Sequence, residues 1–346
     1  MYDINSAVSL WDRLAVTRKP IIMYGMGDGA QKILDVASEK GIKISGFMAS
    51  DDFVRGHSFA GFEVKKLSDI EKEFGDCIIL VAFGTHIEEV IQRIIAISDR
   101  HELYAPDVPV IGGGLFTKEY AEEHREELEK VYSLLCDEQS KKVFDGWLEY
   151  RITGRIQPLL ANQTEKAEAY DLLALGKEET YADLGAYNGD TIEEFLMQTG
   201  GSFKKIFAME PDGRNYSKMK RRLYALSPYD FRTVNAGAWS CDTVCEFVSK
   251  GGRNSSLVPY EKGKPINPSR IKQIDMRSLD SFVKDERITY IKYDVEGSES
   301  EALEGSKTVI KRDKPKLTVS LYHRTEDMFA LPLKVKELNA QYKLYL

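Results

Sequence analysis

The sequence predicts an α/β protein built from two doubly wound domains joined by a helical connector. Three observations carry this. Short apolar strands alternate with helices over two long stretches, the pattern of parallel sheets covered by crossover helices. Each stretch holds a glycine turn between an apolar strand and a helix, at residues 25–30 and 185–189. Between the two stretches, residues 118–150 are charged and helical in pattern. A chain of 346 residues has room for two domains, each with its own core.

In chain order, residues 1–18 read as an amphipathic helix with Val8, Leu10, Trp11 and Leu14 as buried positions. Strand 20–24 runs into Gly25-Met26-Gly27-Asp28-Gly29-Ala30, and helix 31–40 stops at Gly41, a suitable C-cap. Strands follow at 43–48 and 62–64, a helix at 69–74, and a strand at 77–82 whose unbroken apolar run fits burial on both faces. A helix at 87–97 and a last strand at 108–111 complete a domain over residues 1–112. The glycines 112–114 mark the boundary, and residues 113–165 form the connector, two helices that break near Cys136-Asp137-Glu138. The turn of this first domain, G-x-G-x-G-A, is near a nucleotide-binding fingerprint without completing it, and Asp51 or Asp52 stands where a ribose would be read. A dinucleotide, a sugar nucleotide or another small ligand, and a scaffold or homodimerisation role, all stay open for it.

The second domain spans residues 166–346. Strand 180–184 ends in Asp183-Leu184-Gly185. A turn through Ala186, Tyr187, Asn188 and Gly189 follows, then a helix from Asp190-Thr191, and strand 205–209 ends at Glu210-Pro211-Asp212. Glycine lets backbone approach a ligand, a helix N-terminus offers free N–H groups, and an acid about twenty residues on can accept from both ribose hydroxyls. The pattern D-x-G-x-x-x-G-D lacks the central glycine that admits a pyrophosphate. Asp183 and Asp190 would repel one but tolerate an ammonium or sulfonium, so the turn suits S-adenosylmethionine. Strand 231–238 brings Asn235 and Ala236 to flank an adenine. Further strands are expected at 245–249, 289–295, 316–322 and 342–346, with helices at 215–226, 300–312 and 333–338.

Several segments, YADLGAYNGDT, FAMEPD, NAGAWS, IDMRSLDSF, YIKYDVEGSESEALEGS and KPKLTVSLYHRTEDM, resemble the FkbM family of S-adenosylmethionine-dependent methyltransferases over residues 180–346. The most specific is IKYDVEGSE, which matches the family's D-V-E-G-x-E. The resemblance implies a class I methyltransferase fold, a mostly parallel seven-stranded sheet between helices. It also implies methyl transfer to a hydroxyl of a sugar, glycan or natural-product-like small molecule. The residues before it look like the Rossmann-like domain that precedes some of these enzymes. Such a sheet ends in an antiparallel hairpin, whereas this sequence stops after the strand expected at 342–346, so the sheet is expected to be one strand short.

Methyl transfer is an in-line displacement at an activated sulfonium, so the protein mainly positions two reactants, with a base near a hydroxyl acceptor. Asp183, Gly185, Tyr187, Asn188, Gly189 and Asp190 are assigned to the methionine end of the cofactor, Glu210 and Pro211 to the ribose, and Asn235 and Ala236 to the adenine. Asp294 and Glu296 end a strand two residues apart and so share a face. Asp294 is the candidate for holding cofactor or acceptor, and Glu296 or His323 for the base. His323 is the one histidine of five at a strand end on that edge. Arg253, Asn254 and Ser255 lie in a polar loop suited to the acceptor. Asp294, Glu296 and Glu299 offer hard oxygens to a divalent cation, but no clear third ligand is present and no metal is assigned.

The net charge of −7, from 48 basic and 55 acidic residues, argues against nucleic acid and against an anionic membrane. The four cysteines make no C-x-x-C pair, which disfavours zinc and a disulfide framework. No signal sequence and no long apolar run is present, so a cytoplasmic location is expected. A nicotinamide oxidoreductase is disfavoured because no Tyr-x-x-x-Lys set accompanies the first turn. A non-catalytic sensor of S-adenosylmethionine remains the competitor to the enzyme.

Overall fold

The computed structural model describes residues 1–54, 56–112, 114–226, 230–248 and 271–346, so Arg253, Asn254 and Ser255 lie outside the described residues. The chain divides into two compact units. The first takes residues 1–108, 115–163 and 345–346; the second takes 109–114 and 164–344. The helices of the expected connector cluster with the first unit.

The first unit is built on strands β1 (Ile21–Tyr24), β2 (Gly46–Met48), β3 (Ser58–Phe59), β4 (Phe62–Lys65), β5 (Ile78–Val81) and β6 (Glu102–Tyr104), in the order β3-β4-β2-β1-β5-β6. All neighbours are parallel except β3, which pairs antiparallel with β4. Strand alternation sends Ile21 and Met23 into one core and Ile22 and Tyr24 into the other, so β1 is buried on both faces. The opening helix, Leu10–Val16, buries Leu10, Trp11 and Leu14 as expected, but Val8 precedes it and is exposed. The last strand is β6, not residues 108–111. Pro106 precedes that run and Pro109 lies within it; both lack a ladder donor, which keeps the run out of the sheet. In the first turn a Cβ on Gly29 would come within 2.4 Å of the Ala82 carbonyl oxygen, so this glycine is accounted for by close helix–strand packing.

The second unit carries a parallel sheet of β7 (Thr180–Leu184), β8 (Lys205–Met209), β9 (Phe231–Val234), β13 (Tyr290–Tyr293) and β14 (Lys316–Val319), ordered β14-β13-β7-β8-β9. A smaller sheet of β10 (Gly237–Ala238), β11 (Thr243–Val248) and β12 (Ile271–Arg277) has the order β10-β12-β11. The strand expected at 231–238 is therefore two: after Val234 the chain leaves the main sheet, and Gly237 and Ala238 pair with Met276 and Arg277. The main sheet holds five strands among the described residues rather than the seven a class I methyltransferase would show. The stretch 342–346 forms no strand; Tyr342 instead donates its hydroxyl to the Pro315 carbonyl and packs on the core. The helix expected at 300–312 is split into Glu299–Glu304 and Lys307–Asp313, and the last helix runs from Asp327 to Leu338.

The strand order reverses direction between β7 and β13. In an open parallel sheet, the crevice above the carboxyl ends of two such strands is where ligands bind.

Candidate functional site

Strand β7 ends in Asp183, Leu184 and Gly185 at this crevice. Gly185 has φ +84°, and a Cβ on it would lie 1.9 Å from the carbonyl oxygen of Asp294, beyond the end of β13. The two strand ends touch backbone to backbone there, and only glycine fits. The turn continues with Tyr187 at φ +47° and Gly189 at φ +86°, into the helix Asp190–Gln198. The N–H groups of Gly185 and Ala186 both donate to the Met209 carbonyl, at 3.1 and 3.0 Å, which ties the turn to the end of β8.

Glu210 follows Met209 and is 6% exposed. Its Oε2 accepts from the Tyr187 N–H at 2.9 Å and its Oε1 from the Asp212 N–H at 2.8 Å. Burial outweighs these bonds and pushes its carboxyl up to about 7. Each oxygen keeps a lone pair for a further donor. Asn235 acts on this loop directly: its Nδ2 donates to the carbonyls of Glu210 (2.7 Å) and Pro211 (3.0 Å). Ala236 is fully buried behind it. Asn188 Oδ1 accepts from the Asp190 N–H at 3.1 Å and from Arg222 Nη1 at 2.9 Å, and Asp190 Oδ1 accepts from the Thr191 N–H at 2.9 Å. Asn188, Asp190 and Asn235 therefore brace the turn and the Glu210 loop in this structure.

Asp183 is completely buried. Its Oδ2 accepts from the Thr191 hydroxyl at 2.5 Å, and its Oδ1 lies 3.3 Å from Lys292 Nζ on β13. Lys292 also donates to the Gly185 carbonyl at 3.3 Å and stands 3.8 Å from Asp294 Oδ2. Burial works against its charge, but the carboxylates of Asp183 and Asp294 more than compensate and raise it above an ordinary lysine. Sequence reasoning missed Lys292. The signal was a lysine inside the otherwise apolar run Tyr290-Ile291-Lys292-Tyr293, where an unpaired charge would be costly.

The acids after β13 are arranged differently from the expectation. The strand ends at Tyr293, so Asp294 and Glu296 sit in the following turn and strand alternation does not govern them. Glu296 has φ +54° and Gly297 φ +88°, a left-handed pair that reverses the chain before the helix Glu299–Glu304. The turn still gathers the acids around His323, which is 0% exposed and lies beyond β14. His323 Nε2 is 3.7 Å from Asp294 Oδ1 and 3.6 Å from Glu296 Oε2, and Nδ1 is 2.9 Å from Glu299 Oε1. The last is a close ion contact outside hydrogen-bond alignment, so both ring nitrogens are buried without a hydrogen bond among the described residues. Burial alone would lower the histidine, but Glu299, Glu296 and Asp294 together raise it above its ordinary value. Glu299 is itself 1% exposed and accepts from the Val295 N–H at 2.9 Å. Tyr322 donates its hydroxyl to Asp294 Oδ1 at 3.2 Å. Asp327, also buried, is pushed up to about 7 by desolvation.

Residues 109–114 run along this edge as part of the second unit. The Ile111 N–H donates to the His323 carbonyl at 3.0 Å, its side chain packs where a Cβ on Gly297 would lie, and the Thr325 hydroxyl donates to the Gly114 carbonyl at 3.0 Å. Arg324 Nε donates to the Gly297 carbonyl at 2.6 Å and closes the turn from the other side. The structure thus brings Asp294, Glu296 and His323 together. A cavity of about 670 Å³ in the first unit, lined by Tyr2, Lys142, Asp145, Glu149 and Arg155 among others, contains none of these groups.

Comparison with known proteins bears on the same segments. Residues 183–342 match the methyltransferase FkbM domain, and residues 17–102 match the family described as C2185-like, N-terminal. No curated protein matches the chain. A crystal structure of methyltransferase FkbM from Methylobacillus flagellatus KT superposes with a TM-score of 0.71 at 18% identity, over 99% of this chain and 91% of that one. An rRNA methylase from Streptococcus thermophilus, also 18% identical, aligns over 45% of this chain and 70% of its own with a TM-score of 0.28, which is not a shared fold. The fold is that of the FkbM methyltransferase structure, and residues 183–342 carry the match to the methyltransferase FkbM domain.

Proposed function

We propose that this protein is an S-adenosylmethionine-dependent O-methyltransferase whose acceptor is a hydroxyl of a sugar, a glycan or a natural-product-like small molecule. The observation that carries the reading is the contact of Gly185 with the Asp294 carbonyl, which puts the glycine turn and the acidic edge side by side at the strand-order reversal. In this reading the methionine end of the cofactor lies over Gly185–Gly189 and the ribose hydroxyls donate to Glu210. The acceptor enters beside Asp294, and Glu296 or His323 takes the proton as the hydroxyl oxygen attacks the methyl group. Lys292 holds Asp183 and Asp294 in register and is a positioning residue. The test is calorimetric titration with S-adenosylhomocysteine, followed by a search for its release from S-adenosylmethionine with hydroxylated acceptors. Binding with turnover supports the enzyme, whereas binding without turnover across sugars and glycosides would favour a sensor. No binding at all would overturn the cofactor assignment.

The buried Glu210 makes this binding depend on pH. With its carboxyl near 7, the group is mostly ionised at pH 8 and mostly protonated at pH 6. An ionised acceptor holds a hydroxyl more strongly than a neutral one. Affinity for S-adenosylhomocysteine should therefore fall roughly five- to tenfold from pH 8 to pH 6, following loss of the ionised fraction. The Glu210→Gln variant should bind more weakly and show a flat profile; a wild-type slope retained in that variant would move the titration elsewhere. The sign for stability is opposite. Because the folded carboxyl titrates above a free glutamate, its contribution to the unliganded protein is greatest at low pH and is lost as pH rises through about 7.

A further inference from the structure

We propose that Asp294, Glu296 and His323 form a binding site for one divalent cation, with Glu299 holding the histidine ring from behind. The turn after β13 delivers two carboxylates, and the segment after β14 delivers the imidazole that the sequence pattern of acids alone did not supply. The ligand atoms that all lie within 4.8 Å of one another are those of Asp294, Glu299 and His323, and Glu296 joins this group through its Oε2, 3.6 Å from the His323 Nε2.

The separations are those of ligands around an ion, not of hydrogen-bonded partners. Nε2 stands 3.7 Å from Asp294 Oδ1 and 3.6 Å from Glu296 Oε2. Two adjacent ligands at bond lengths of about 2.1 Å sit roughly 3.0 Å apart around an octahedral ion. The gap between these atoms is wider than that by about half an ångström, so the exposed carboxylates must close on the ion by that much.

A group of acids alone would not make a site; the histidine is the independent observation. His323 is 0% exposed, and among the described residues its Nε2 is buried without a hydrogen bond while facing both carboxylates. Buried imidazole nitrogens are ordinarily satisfied, and one aimed between two acids is accounted for by a ligand there. Its other nitrogen, Nδ1, faces Glu299 Oε1 at 2.9 Å. Metal-bound histidines nearly always present the second ring nitrogen to a carboxylate or carbonyl, and Glu299 stands in that place, within a small ring rotation of a hydrogen bond. Lys292 leaves room for the ion, because it approaches Asp294 through Oδ2 while Oδ1 faces the histidine.

The site is closed on one side and open on the other. His323 and Glu299 are buried, whereas the side chains of Asp294 and Glu296 keep 34% and 42% of their exposure. Three protein ligands with an open face are the pattern of a catalytic rather than a structural centre. One imidazole with two carboxylates and no thiolate suits manganese or magnesium better than a soft-ligand metal. If the methyltransferase reading holds, an acceptor oxygen on the open face would be polarised and deprotonated more easily, with the uncoordinated oxygen of Glu296 rather than His323 as the base; this consequence rests on that reading, and the site does not.

The test uses the full chain, stripped of metal and titrated with Mn²⁺ while free Mn²⁺ is followed by electron paramagnetic resonance. One Mn²⁺ should bind per chain, with Mg²⁺ competing. Glu296→Gln and His323→Gln should each weaken binding at least tenfold, and Glu299→Gln by about tenfold through the ring it orients. Glu296 is half exposed, so its variant tests the site without opening the core. The absence of saturable Mn²⁺ binding in the millimolar range, or equal affinity in Glu296→Gln and wild type, would overturn the proposal. S-Adenosylhomocysteine is titrated into the same metal-free protein. Its binding without Mn²⁺ binding sinks the cation site alone, and Mn²⁺ binding without it sinks the cofactor reading alone.

Discussion

Gly185→Ala should destabilise the second unit by about 2–5 kcal/mol and abolish binding of S-adenosylhomocysteine. Two costs add. A Cβ placed 1.9 Å from the Asp294 carbonyl oxygen overlaps backbone rather than a side chain that could swing away, so β7 and β13 must separate at their ends. The residue also sits at φ +84°, where an L side chain costs about 1–2 kcal/mol more than glycine. Gly189→Ala is the useful control. It shares the positive φ, but its nearest neighbour is the Met219 Cγ at 3.3 Å, a side-chain atom that need give only a few tenths of an ångström, so it should lose mainly the backbone part. Urea unfolding of both variants separates the terms. Equal losses would show that the contact with Asp294 does not restrict position 185.

Lys292→Met should cost about 3–5 kcal/mol, the usual result of leaving a buried charge without its partner. The methionine fills most of the lysine's volume, so the loss is electrostatic rather than a cavity. What remains is Asp183, fully buried, with the neutral hydroxyls of Thr191 and Tyr181 beside it and no cation in place of Lys292 among the described residues. The double variant Asp183→Asn/Lys292→Met should recover much of the stability, because it removes both charges, while binding of S-adenosylhomocysteine stays impaired. Since the lysine titrates above its ordinary value, its contribution is fully present below the normal lysine range and lost only as strongly alkaline pH is reached. A single variant as stable as the wild type would mean that the Asp183–Lys292 pair holds nothing together.

The glycine turn and Glu210 were legible because their signals are local. An apolar strand, a glycine that must be glycine, a helix start and a carboxylate at the end of the next strand all fall within some thirty residues. The acidic edge was legible in composition but not in geometry. Asp294 and Glu296 were assigned to one face by strand alternation, yet the strand stops at Tyr293 and Glu296 turns left-handed. They meet His323 through that turn. Nothing in the spacing between Glu299 and His323 says that they touch, because they lie on neighbouring elements joined only by the fold. Lys292 was hidden for a related reason: its meaning depends on Asp183, which pairs with it across two adjacent parallel strands more than a hundred residues apart. The extra strand expected at 108–111 failed on local chemistry, since its prolines were visible and outweigh its apolar residues.

The return of residues 109–114 to the second unit changes what an excised fragment would mean. A fragment beginning at residue 164, or one cut to the family match at 183–342, looks like the natural way to isolate the methyltransferase. Either one discards Ile111, the residue that covers the Gly297 turn and satisfies the His323 carbonyl. Failure of such a fragment to bind cofactor would then report a missing piece of its own wall, and would not show that the first unit takes part in binding. Adding back a synthetic peptide of residues 109–114 to the fragment distinguishes the two.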